Sequence, residues 1–136
     1  MSGFLRVCPV VLLTLFSPLA LQAEVTKDAS GRPVLESRDA SGRVLSRIVL
    51  EADGSRHVTS TEYWPESQVA RRTVDENADG TGRVTKRVTQ EFDEGGRLQE
   101  RKDVAVDAAG KQQGTRTRYS YDAKGARTET TLPLER

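Results

Sequence analysis

Through most of this chain, apolar and polar positions alternate in short stretches, each closed by a glycine-containing turn. In residues 82–92, Val84, Val88 and Phe92 share one parity with Lys86 and Gln90, while Arg83, Thr85, Arg87, Thr89 and Glu91 occupy the other. In residues 111–121, Thr115, Thr117, Tyr119 and Tyr121 oppose Arg116, Arg118 and Ser120. A period of two means that successive side chains point to opposite sides of an extended backbone, so these stretches predict strands with one half-apolar face and one wet face. The same reading gives strands at 32–38, 43–50, 55–64, 68–74, 82–92, 97–106, 111–121 and 126–132.

Between the strands one phrase recurs: an acidic or amide residue, two spacers and a glycine. Its copies begin at Asp28, Asp39, Glu51, Asn77, Asp93, Asp107 and Asp122. Aspartate at the first position of a type I turn accepts hydrogen bonds from the backbone just beyond it. A glycine then takes the left-handed conformation that lets the next strand leave. The glycines read in this way are Gly31, Gly42, Gly54, Gly80, Gly96, Gly110 and Gly125, and the interval from Gly54 to Gly80 is far longer than any other. That long interval implies a further turn, and Tyr63-Trp64-Pro65-Glu66-Ser67 in its middle supplies it, since proline after a strand-like run also reverses a chain.

Strands joined by tight turns are antiparallel, so the expected fold is all-β. It is an up-and-down meander of about eight strands built from D-x-x-G hairpin repeats, forming a curled single sheet or a small barrel.

Residues 1–23 are of another kind. Arg6 is their only charge, and an apolar run from Val7 to Ala20 is broken only by Cys8, Pro9, Thr14, Ser17 and Pro18. This reads as a secretory signal peptide cleaved after Ala23. The run is short of the roughly 20 apolar residues that cross a bilayer, so no membrane span is expected after cleavage. Cys8 stands at the very start of this run, whereas a lipoprotein cysteine follows it, which argues against a lipidated cysteine.

Cleavage leaves residues 24–136 as a single β-hairpin repeat domain, periplasmic or secreted, without cysteine or methionine. Disulfides cannot reinforce its core, so hydrogen-bonded sheet must supply the order. Its 20 basic and 20 acidic residues cancel. With both signs interspersed there is no stripe for nucleic acid or anionic lipid. Leu, Ile, Val and Phe together fall below about 20% of the domain, a level that signals disorder only when net charge is also high. So thin an apolar complement predicts a marginal sheet that must curl, close, or pack against a partner or another copy.

One turn is chemically richer than the others. Asp75-Glu76-Asn77-Ala78-Asp79-Gly80 satisfies the D-x-N-x-D-G opening of a calcium loop, with Asp75, Asn77, Asp79 and the Thr81 carbonyl as ligands. The pattern then departs, placing Arg83 and Lys86 where such a loop needs its later ligands. The ordinary reading is an acidic turn, and calcium is the one cofactor the sequence raises.

His57 is the sole histidine, in a strand where a solvated or half-buried ring is the default. No constellation reaches a catalytic signature, and the expected role is non-catalytic. Tyr63, Trp64, Tyr119 and Tyr121 are candidate partner-binding residues, since aromatics on a sheet stack on sugars or anchor proteins, although a chain this poor in large apolar groups also needs them for packing.

Tyr121-Asp122-Ala123-Lys124-Gly125-Ala126-Arg127 and Phe92-Asp93-Glu94-Gly95-Gly96-Arg97-Leu98 resemble the YD repeat of Rhs-type proteins, in which an aromatic, Asp, two spacers, Gly and Arg mark successive hairpins. The resemblance runs over most of residues 28–132, with the aromatic in these two copies. It implies hairpin geometry and an exported, non-catalytic role; a chain of this length cannot build the large enclosing shells of that family.

The function expected from the sequence is an exported interaction or structural module that binds an unidentified protein or glycan through a sheet face or edge. The alternatives are a calcium-stabilised surface or adhesion element, and a periplasmic inhibitor or immunity partner of a toxin or enzyme. Self-association through an edge or the half-apolar face is also expected, because edge strands expose unpaired backbone groups.

Overall fold

A computed structural model describes residues 22–134. These form one antiparallel sheet of nine strands in simple sequential order, β1 Gln22–Lys27, β2 Pro33–Arg38, β3 Val44–Leu50, β4 Arg56–Tyr63, β5 Ala70–Ala78, β6 Val84–Phe92, β7 Leu98–Val106, β8 Gln112–Tyr121 and β9 Arg127–Pro133. β1 and β9 are its two edges, so the meander is open and not a barrel. The expected signal peptide lies outside the described residues except for Gln22 and Ala23, which pair in β1 with Arg38 and Ser37.

The turn phrase explains this order. At Asp28, Asp39, Asp79, Asp93, Asp107 and Asp122, the aspartate N–H donates to the carbonyl four residues on, and its own carbonyl accepts from the amide of the following left-handed glycine. The side chain completes the turn. Asp39 Oδ1 accepts from the amides of Ser41 and Arg43 at 2.9 and 3.0 Å, while Oδ2 takes the Arg43 Nε at 2.7 Å. Asp28 does the same with Ser30 and Arg32. Where glutamate begins the phrase, its carboxylate is not the cap. Asp53 takes over and accepts from the amide and hydroxyl of Ser55.

Arginine at the end of the phrase has a second use that its sequence position does not reveal. Turns alternate between the two ends of the sheet, and the outer nitrogen of the arginine reaches the next turn at the same end. Arg32 Nη1 meets Glu51 Oε1 at 2.5 Å, Arg43 Nη1 donates to Ser67 O at 2.8 Å, and Arg83 Nη1 donates to Ala108 O at 2.8 Å. A planar guanidinium can bind its own aspartate and a neighbouring turn at once, which a lysine ammonium on a flexible stem does poorly.

Two sequence expectations need correction. The turn after β5 pivots on Gly82, at φ +86°, and not on Gly80. Two phrases overlap there. The later one prevails because Asp79, not Asn77, finds both a hydroxyl and an arginine, accepting from the Thr81 amide and Oγ1 and from the Arg83 amide and Nε. β5 therefore runs on through Asp75, Glu76 and Asn77 to Ala78. The second correction is the ninth strand: alternation in the few residues before Asp28 is too short to register as a strand, yet the first turn needs one to fold back on.

The turn in the long interval exists and works differently. Trp64 N–H donates to Val69 O at 3.0 Å, Ser67 Oγ accepts from the Val69 amide at 2.9 Å, and Glu66 occupies the left-handed region at φ +54°. It is the only non-glycine residue with positive φ among the described residues. Left-handed backbone brings Cβ close to the following carbonyl. Glu66→Gly is therefore expected to stabilise the chain by about 0.5–1 kcal/mol, read as a higher thermal midpoint. An unchanged or lower midpoint would show that this turn tolerates the side chain without strain.

The apolar core is slight. Among the described residues Val34, Val49 and Ala78 are the buried hydrophobic ones, with Thr89 the buried polar one. A one-layer sheet has nothing to press against, so order rests on the ladder, the turn caps and the cross-strand pairs.

Candidate interaction faces

The register assigns every side chain to one of two faces. On the first, Val34, Val49, His57, Asn77 and Lys86 follow one another across five strands, from β2 to β6. On the second, Val25, Leu35, Ile48 and Val58 form an apolar row across β1 to β4, and the row then passes into the Glu76–Arg87 pair. Val25 is 73% exposed and Leu35 40%. Nothing among the described residues covers this row.

On the first face His57, Asp75, Asn77, Lys86, Val88 and Arg101 line a shallow depression. His57 Nδ1 lies 2.6 Å from Asn77 Oδ1, and its Nε2 stands 3.5 Å from Asp75 Oδ1 and 3.4 Å from Thr59 Oγ1. Thr59 Oγ1 in turn donates to Asp75 Oδ1 at 2.7 Å. A nucleophile–base–acid relay needs the hydroxyl and the carboxylate on opposite ring nitrogens. Here both lie on Nε2, so the cluster works as a cross-strand polar ladder. Nearby, Arg101 grips Asp103 through two hydrogen bonds of 2.7 and 2.9 Å, which hold the Asp103 carboxyl below the ordinary carboxylate range.

On the second face Glu100 gathers Lys102 at 3.0 Å, Arg118 at 3.2 Å and Arg116 at 3.4 Å. Partial burial pushes the Glu100 pKa upward, but hydrogen bonds from Lys102 and Arg118 outweigh it and the net shift is downward. Three cations on one carboxylate bind the β7 and β8 strands together through side chains as well as through the ladder.

The four aromatic candidates lie at sheet ends and are half-buried. Tyr63 closes β4; its hydroxyl donates to Val44 O at 2.8 Å and Arg43 stacks over its ring at 5.0 Å. Tyr121 closes β8 in the same manner, donating to Leu98 O at 2.7 Å beneath Arg97 at 5.0 Å. In each case the tyrosine reads the residue that follows the turn arginine of the preceding strand, so aromatic, turn and arginine form one repeated device. Arg127 covers Tyr119, and Arg71 stands over Trp64, whose buried Nε1 has no hydrogen-bond partner among the described residues.

Of the four residues read as a calcium loop, Asp75 and Asn77 stand on β5 and face His57 and Thr59, whereas Asp79 and Thr81 belong to the turn and bond each other. Among the described residues no three His, Cys, Asp or Glu side chains come together as a metal site. No helix of the described residues is long and apolar enough to cross a membrane.

No family model matches this sequence, and a search of curated proteins finds no match. The apolar row is the feature that sequence reading missed. Val25, Leu35, Ile48 and Val58 lie on separate strands with nothing in their spacing to link them, and only the register lines them up; the one available signal was Val25 flanked by polar residues just ahead of the first turn phrase.

Proposed function

We propose that this chain is an exported, non-catalytic interaction module that binds a protein or glycan through its sheet. The observation that carries the reading is the Val25–Leu35–Ile48–Val58 row, which nothing among the described residues covers, on a one-layer sheet with three buried apolar residues among those described. Aligned exposed apolar groups gain about 25 cal/mol for each Å² that a partner covers. The resemblance of the Tyr121 and Phe92 turns to YD repeats points the same way, toward an exported scaffold without chemistry of its own. Of the calcium-loop carboxylates, Asp79 is engaged within its own turn, accepting from the Thr81 amide and hydroxyl and from the Arg83 amide and Nε.

The test is direct binding of the purified chain to an array of glycans and to a panel of exported proteins, alongside Leu35→Glu. Binding to one class that falls at least tenfold in the variant, with its β circular-dichroism spectrum retained, is the expected result. Binding that is indifferent to Leu35→Glu, or hydrolysis of any array member, would overturn the reading.

A further inference from the structure

The two edges of the sheet are not alike. The Asp28 N–H to Arg32 O bond sets the parity of the β1–β2 ladder, so Glu24 and Thr26 bond inward to β2 and the backbone groups of Ala23, Val25 and Lys27 point away from the sheet. At the other edge Leu134 N–H bonds to Gly114 O, which turns Arg127, Glu129, Thr131 and Pro133 outward. Pro133 has no N–H to offer, so a donor is missing from that edge. The β1 edge has no such interruption, although the residues of both edge strands are exposed.

Geometry also restricts how copies can join. With nine strands in simple order, β1 and β9 run in the same direction. Head-to-tail continuation by translation would therefore need a parallel β9–β1 pair, whereas a two-fold axis perpendicular to the sheet at β1 makes an antiparallel one and closes at two copies. That axis keeps each face on its own side, which requires a residue to oppose one of equal parity. Centring the pair on Val25 places Glu24 opposite the partner's Thr26 and Val25 opposite the partner's Val25. The outward groups of Val25 then bond to each other, and the apolar row runs unbroken from Val58 of one copy through the two Val25 side chains to the partner's Val58. No charged residue of β1 meets a like charge in this register.

We infer that β1 is a dimerisation edge, with a second copy of this chain paired antiparallel to it about Val25. The most exposed large apolar side chain among the described residues, Val25 at 73%, then becomes the centre of a continuous sheet made of two nine-stranded halves. Cleavage after Ala23 would leave Glu24, Val25 and Thr26 in place, so the centre of the pair survives export. The inference rests on the sheet being an interaction module and names one of its partners.

Sedimentation velocity over a range of concentrations tests it, with Val25→Pro as the variant. Proline fits the edge backbone and removes only an outward N–H, leaving the β1–β2 bonds intact. The expected result is a dimer for the unaltered chain, with slowed exchange of the Val25 amide, and a monomer for Val25→Pro that melts as the unaltered monomer does. Val25→Lys, which sets two like charges across the axis, should also lose the dimer. An unaltered chain that stays monomeric at every concentration, or dimers that persist in both variants, would overturn the inference. An unaltered chain that is monomeric yet still binds its ligand through the Leu35 face would overturn it while leaving the proposed function standing.

Discussion

Gly114→Ala is expected to destabilise the chain by about 1–3 kcal/mol, lowering the thermal midpoint by about 5–15 °C. A Cβ at this position would lie 2.3 Å from Asp103 O, 3.0 Å from Leu134 Cδ1 and 3.2 Å from Val104 Cα. Two of those neighbours are backbone atoms of β7, the strand that pairs with β8 at this point. Relief requires the ladder itself to shift, not a side chain to rotate, and the shift would also disturb the Leu134 N–H to Gly114 O bond that ends the β8–β9 pair. Glycine inside a strand here permits a close backbone approach. Gly125→Ala is the comparison: its φ of +81° is strained for alanine, but a Cβ there meets nothing within 4 Å. Its expected effect is about 1 kcal/mol. Equal losses in the two variants, measured by thermal melts, would show that the approach at Gly114 has no energetic consequence.

Acid is expected to weaken the fold cooperatively through the turns. Asp28 and Asp93 have lowered pKa values chiefly because backbone amides of Arg32 and Arg97 bond to their carboxylates, and Asp53 and Asp79 chiefly because the Ser55 and Thr81 hydroxyls do. At Asp39 desolvation opposes the shift, but the Arg43 guanidinium and two backbone amides outweigh it. A carboxyl whose folded pKa lies below its unfolded value favours the folded chain above the unfolded pKa, about 3.9 for aspartate. That contribution disappears as pH falls through the folded value. The melting midpoint should therefore hold steady from about pH 7 to 5 and drop steeply below about pH 4, as several turns lose their caps over the same interval. Asp39→Asn and Asp93→Asn together should lower the midpoint at neutral pH and flatten its acid slope. A midpoint that does not move between about pH 5 and pH 3 would mean that these carboxylates bond equally well in the unfolded chain.

The turns and the strand type were legible because they are local. Asp39-Ala40-Ser41-Gly42-Arg43 contains its own cap, its own left-handed glycine and its own ion pair, so this short phrase suffices to specify a reversal. The overlap at 77–83 shows the limit of such reading. Two phrases fit one segment, and what selects Gly82 includes Arg83 reaching across to Ala108 on a distant turn. With Gly82 as pivot, the interval from Gly82 to Gly96 equals that from Gly96 to Gly110, a regularity hidden when Gly80 is taken instead.

For the candidate sites the division is sharper. The aromatic residues were visible as a composition, but that Tyr63 and Tyr121 are held by Val44 O and Leu98 O under turn arginines depends on strands meeting in one register. His57, Thr59 and Asp75 likewise become neighbours only when β4 and β5 pair.

By itself the sequence determined an all-β meander, its antiparallel sense and most of its turn positions, because alternation and turn capping act within a few residues. Only the tertiary structure decided that the sheet stays open, that β1 is an edge strand whose outward N–H row no proline interrupts, and that Val25, Leu35, Ile48 and Val58 share one row that nothing among the described residues covers. Those properties depend on register between strands, where a slip of one residue would send every side chain to the opposite face.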